Sequence, residues 1–147
     1  METAALVQLL EQLDESKDWY FPDSAADDFN PEMADAQFER FIQQLQQSTG
    51  LLVTEEDGSI QDATFYRSVR LPNPSHYFIQ PELRFSIFGN LAAVLLAERV
   101  EASVLTAIRT LLPLHGYVPA ELLNQPYRGV QNNSHIATWW DRYFDYI

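Results

Sequence analysis

At 147 residues, with 46% hydrophobic and 20% charged side chains, the chain has the composition of a folded domain with a sizeable core, not of a disordered segment. It has no cysteine, which excludes a disulfide framework, a thiolate nucleophile and a thiolate metal site. A net charge of −12 repels nucleic acid and anionic membranes, and no apolar run approaches the roughly eighteen residues that span a bilayer.

The chain opens M-E-T-A-A-L-V-Q-L-L-E-Q-L. There is no basic n-region, and Glu2 and Glu11 interrupt the apolar patch, so it does not read as a signal peptide. With the missing cysteines, this favours the cytoplasm. Leu6, Leu9, Leu10 and Leu13 repeat at helical spacing and predict a first helix over residues 3–15. W-Y-F-P and D-S-A-A-D-D-F follow: the aromatic triplet Trp19, Tyr20 and Phe21 beside the acids Asp23, Asp27 and Asp28. Aromatic side chains bury large areas, so an anchor on the core is the default and a contact patch the rival. A second helix is the best-signalled element. Asn30 suits the cap, Pro31 the first turn and Glu32 the positive end of the dipole. Phe38, Phe41, Ile42 and Leu45 form its buried stripe, the glutamines Gln43, Gln44, Gln46 and Gln47 sit mostly on its outer face, and Gly50 stops it.

Strand patterns come next. Leu51 to Thr54 and Ala63 to Leu71 flank the turn signal Asp57-Gly58, and Phe65, Val69 and Leu71 share one face of the second strand by alternation. Three prolines break the chain around His76, Tyr77 and Phe78. Leu83 to Phe88 and Leu91 to Ala97, joined at Gly89-Asn90, predict a central antiparallel hairpin, although the Ala- and Leu-rich second half also suits a helix. Glu101 to Leu112 predicts a third helix, ended by Pro113. Tyr117-Val118 suits a short strand. The last helix is S-H-I-A-T-W-W-D-R-Y-F-D-Y-I, with Ile136, Trp139, Trp140, Tyr143, Phe144 and Ile147 on one apolar stripe and Asp141 and Arg142 on the opposite side. Thr138 and Asp141 resemble a capping box. Nothing marks a repeat or a domain-sized linker. The expected fold is a single α+β domain over residues 1–147, an antiparallel sheet of about four strands packed with N-terminal, central and C-terminal helices.

Catalytic signals are weak. His76, His115 and His135 make no i, i+4 pair and no H-E-x-x-H pattern, and they read as loop or capping histidines. The five glycines are isolated, so no phosphate loop is present. No serine sits in a G-x-S-x-G elbow. The Asp23, Asp27, Asp28 cluster lacks the spacing of a calcium loop. No catalytic residue, metal ligand or cofactor is assigned. Asn132-Asn133-Ser134 matches a glycosylation pattern that matters only on a secretory route.

The charge is one-sided. Residues 1–62 hold fifteen acids against Lys17 and Arg40, a net −13, whereas residues 63–147 net +1. Solubility alone accounts for a charge of this sign. The asymmetry also fits electrostatic steering toward a basic partner, with aromatic anchors beside the acids. In size, charge and lack of cysteine the chain resembles bacterial immunity or antitoxin proteins that cover a basic toxin site. It also resembles small acidic secretion chaperones, often dimeric, and an acidic nucleic-acid mimic is a further variant. The resemblance implies a non-enzymatic binding protein for a toxin or secreted effector, monomer or homodimer. Trp19, Tyr20, Asp23, Asp27 and Asp28 are the candidate contacts. The inhibitor reading requires an exposed acidic surface from Asp14 to Glu39 or from Glu55 to Asp62. The chaperone reading requires an exposed apolar groove, and an enzyme would need a histidine beside an acid or beside Tyr117, Tyr127 or Tyr143 in a pocket. The three arginines of the strand region, Arg67, Arg70 and Arg84, are expected to pair with first-half acids, and the closing helix to pack across the sheet.

Overall fold

A computed structural model describes residues 3–14, 31–55, 65–72, 80–86, 89–120, 125–129 and 136–145. In chain order they form α1 (Thr3–Leu13), α2 (Pro31–Thr49), β1 (Thr54–Glu55), β2 (Phe65–Arg70), β3 (Glu82–Ser86), β4 (Leu91–Leu95), a 3-10 turn (Ala97–Arg99), α3 (Ala102–Leu114), β5 (Val118–Ala120) and α4 (Trp139–Phe144). The strands lie side by side in sequence order, antiparallel from β1 to β4, and β5 then adds parallel to β4. Strands β2 to β5 make a four-stranded mixed sheet, mostly antiparallel, and the two-residue β1 adds a short fifth strand at the β2 edge. The fold is the expected single α+β domain. The parallel edge follows from α3: parallel neighbours need a crossover of a dozen residues or more, and the helix supplies it.

Alternation along the strands gives the sheet two apolar faces. Leu83 and Phe85 on β3 and Ala92 on β4 join Phe38, Phe41 and Leu45 of α2 and Val104, Ile108 and Leu112 of α3 in one buried cluster. Leu91 and Ala93 on β4 point the other way, into a second cluster with Leu6 and Leu10 of α1 and Trp139, Tyr143 and Phe144 of α4. The sheet is therefore a middle layer, with α2 and α3 on one side and α1 and α4 on the other. The expectation that the closing helix packs across the sheet holds.

Strand β2 departs from simple alternation. Its pairing with β3 passes from Phe65 opposite Ser86 to Arg67 opposite Phe85, so one extra residue is accommodated between them. A bulge of this kind reverses the facing of what precedes it. Phe65 thus enters the α1/α4 cluster, while Val69 and Leu71 stay with α2 and α3. The expected sharing of one face by Phe65, Val69 and Leu71 is corrected accordingly.

Helix ends follow local chemistry. Helix α2 begins at Pro31, and Gly50, at φ +70°, stops it by donating to the Gln46 carbonyl at 2.8 Å. Asn30, its expected cap, and the Asp57-Gly58 turn lie outside the described residues. The first strand is shorter than Leu51 to Thr54 and shifted to Thr54–Glu55. Strand β4 stops at Leu95 because Leu96 adopts φ +56°, a left-handed geometry that breaks the ladder. Helix α3 does not end before Pro113; it runs through it to Leu114. Pro113 lacks the N–H that would bond the Arg109 carbonyl, yet the termination belongs to Gly116 at φ +86°. Gly116 N–H reaches the Pro113 carbonyl at 3.1 Å and Tyr117 N–H the Leu112 carbonyl at 2.9 Å, the two bonds of a Schellman stop.

Helix α4 is shorter than its apolar stripe. The capping box forms as expected: Asp141 N–H donates to Thr138 Oγ1 at 3.4 Å, and the Asp141 carboxylate accepts from Thr138 N–H at 2.9 Å. Six residues are helical, and Ile136 is buried ahead of the cap. A short antiparallel bridge, Pro126 opposite Thr138, fastens the segment before α4.

Candidate functional site

The expected contact residues Trp19, Tyr20, Asp23, Asp27 and Asp28 lie outside the described residues, as do His76 and His135. His115 is the C-cap of α3, and its carbonyl accepts a 2.7 Å hydrogen bond from the Gln37 side-chain amide of α2. Its ring stands edge-on to Phe41, 5.7 Å between centroids, and Tyr117 meets the same phenylalanine at 5.8 Å. His115 and Tyr117 are therefore neighbours around one aromatic side chain. Burial pushes the Tyr117 phenol well above its usual range, against the opposing charges of Arg40 and Arg67, so the hydroxyl keeps its proton at neutral pH.

The described acids are not all at the surface. Asp14, the expected start of the acidic surface, is buried. Its carboxylate meets Arg142 Nε at 2.8 Å, with side-chain exposures of 0% for Asp14 and 1% for Arg142. Tyr127 donates its hydroxyl to the other Asp14 oxygen. Two expectations are corrected together: Asp14 is not a surface acid, and Arg142 is not on the solvent side of the last helix. The signal was present in the spacing. Asp14 continues the stripe Leu6, Leu10 at i+4, and Arg142 follows Trp139 at i+3, so each polar residue lies on its helix's buried face. Sequence reading assigns a charge to solvent unless a partner is known, and this partner is 128 residues away.

Around that pair the α1/α4 side is closely tied. The Tyr143 hydroxyl donates to the Leu10 carbonyl at 3.0 Å. Burial, reinforced by the Asp14 charge, raises the Tyr143 phenol above its usual range, outweighing Arg142. Gly129 packs so closely on Asp14 and Tyr127 that a side chain there would collide with both. A carboxylate with each oxygen held by a donor in a solvent-free setting anchors structure; it is not placed to take a proton from a substrate.

On the opposite side of the sheet, Arg67 pairs with Asp35 at 2.8 Å and lies 4.8 Å over the Phe38 ring. This is the expected stitch between a first-half acid and the sheet. Arg84 behaves differently: its partner is its strand neighbour Glu82, at 3.0 Å, while its Nη1 donates to the Phe144 carbonyl at 2.7 Å, closing the end of α4. Arg84 also stacks on Phe65. Arg70 is exposed. Exposed acids among the described residues include Glu11 on α1 and Glu32 and Glu39 on α2. Among the described residues, Met33, Leu52 and Leu114 are the large apolar residues most open to solvent.

Among the described residues no group of three or more His, Cys, Asp or Glu is placed to hold a metal ion, and no helix is long and apolar enough to cross a membrane. No protein-family model, curated protein or solved structure matches the chain.

Proposed function

We propose that this chain is a non-enzymatic, acidic protein-binding domain of the immunity or antitoxin type, acting in the cytoplasm by covering a basic surface of a toxin or effector. The observation that carries the reading is the division of charge, −13 over residues 1–62 against +1 over residues 63–147. The fold withdraws two of the first-half acids, Asp14 and Asp35, into pairs with arginines, which narrows the acidic surface this reading can use. Arg67 is drawn to Asp35, Arg84 is held between Glu82 and the end of α4, and Arg142 is buried against Asp14. Each pair withdraws one acid along with one arginine, so the surplus of negative charge left for the surface is unchanged, while Arg40, Arg70, Arg109 and Arg128 remain exposed. Asp14 takes no part in recognition, and Asp35 is committed to Arg67. In this reading the contact set is Trp19, Tyr20, Asp23, Asp27 and Asp28, taken from the sequence, with Glu32 and Glu39 of α2 added as exposed acids.

Affinity capture from the native host at low salt tests the reading. A basic protein should be retained and should elute as ionic strength rises, because steering by charge is screened. The triple reversal Asp23→Lys/Asp27→Lys/Asp28→Lys should weaken that complex by about tenfold or more and flatten its salt dependence. Recovery of no basic protein, or an unchanged affinity in the triple variant, would reject the assignment.

A further inference from the structure

We propose that α1 is a releasable strap over an aromatic floor, held closed by the Asp14–Arg142 ion pair. The floor consists of Phe65, Leu91, Trp139, Tyr143 and Phe144, and α1 covers it with Leu6 and Leu10, while Thr3, Ala4 and Ala5 are exposed. The strap is fastened at its last turn. There Leu10 accepts from Tyr143, Asp14 takes Arg142 and Tyr127, and Leu13 rests against Gly89.

The floor has supports that do not involve α1. Arg84 holds the end of α4 from β3, and Thr138 and Asp141 cap its start. Backbone bonds from Tyr127 to the Ala137 carbonyl and from Trp139 to the Gln125 carbonyl anchor the preceding segment. The α2/α3 cluster lies across the sheet and contains no residue of α1. Opening α1 therefore leaves both the sheet and α4 in place, which is the condition for a local cooperative opening distinct from global unfolding. The opened floor would accept an amphipathic helix with leucines spaced as in α1. This inference stands independently of the identity of any basic partner.

Amide hydrogen exchange on the full chain tests it. In the wild type, Leu10 to Asp14 should exchange about tenfold or more faster than Phe41 to Leu45 and Leu83 to Phe85, with weak dependence on urea. Asp14→Asn removes the pair from the closed state alone, so it should accelerate α1 and the α2/α3 side by a similar factor, whereas Ile108→Val, in the other cluster, should accelerate the α2/α3 side and leave α1 unchanged. If Asp14→Asn fails to fold, Leu6→Ser loosens the strap without stranding a charge and should show the same pattern as Asp14→Asn. As a second readout, a fluorescent synthetic peptide of residues 2–16 is titrated into each protein. The tethered α1 competes at an effective concentration of order millimolar, so about 10 µM peptide should not bind the wild type but should bind the loosened variant. Equal protection of α1 and α2 in the wild type, acceleration of α1 by Ile108→Val, or no peptide binding to a folded loosened variant would each overturn the proposal.

Discussion

Asp14, in the turn that ends α1, and Arg142, within α4, meet at 2.8 Å with both side chains sealed from solvent. The pair joins the two ends of the chain through one carboxylate, whose second oxygen is held by Tyr127. A buried ion pair is a weak source of net stability, yet removing one partner leaves an uncompensated charge. Asp14→Ala or Arg142→Met alone should therefore cost about 3–5 kcal/mol, and the double variant should cost less than the sum of the two. Urea denaturation of the four proteins measures this; strict additivity would show that the two side chains act independently.

The Asp35–Arg67 pair should behave differently, because Asp35 retains 46% side-chain exposure. Asp35→Ala should cost no more than about 1 kcal/mol. Arg67→Ala should cost more, about 1–2 kcal/mol, because it also removes the cation over Phe38. An equal loss in thermal or urea denaturation would mean that the stacking contributes nothing.

Gly116 should resist substitution. Gly116→Ala forces a side chain into φ +86° and toward the Gln37 amide that holds the end of α3. A loss of about 1–2 kcal/mol is expected. Gly50→Ala shares the positive φ but meets no neighbouring atom, so it should cost less. If the two losses are the same, the Gln37 contact is irrelevant.

Helix α4 should prove indispensable. Trp139 is fully buried at the centre of the α1/α4 cluster, and Trp139→Ala should cost about 3–5 kcal/mol. Truncation before Trp139 should leave a chain without cooperative unfolding. A soluble truncated protein with a sharp thermal transition would make α4 a contact element instead.

The two buried phenols set an alkaline limit. Tyr117 and Tyr143 have folded pKa values raised above those of an unfolded tyrosine, near 10. Above about pH 10 the unfolded state releases these protons and the folded state keeps them, so stability is complete below that pH and falls as pH rises. Phenolate absorbance followed against pH should show these two tyrosines ionising only as the protein unfolds. Reversible ionisation of all tyrosines in the native state would contradict their burial.

The sequence by itself determined the elements whose signals are local. Helical spacing and Pro31, Glu32 and Gly50 set α2; alternation through Leu83 and Phe85 set the hairpin face; Thr138 and Asp141 set the start of α4. The division of charge is likewise written in the residue order. Contacts between distant residues were decided only by tertiary structure. The bulge ahead of Arg67 moves Phe65 to the other side of the sheet, because register depends on a partner strand. Strand β5 runs parallel because α3 carries the chain across. By sequence, Arg142 and Asp14 belong in solvent, since a charge is buried only where its counter-charge waits, and no local pattern records a partner so distant along the chain. The candidate acidic site was legible as composition, but which acids serve the surface and which bind the fold together depends on where each arginine lands.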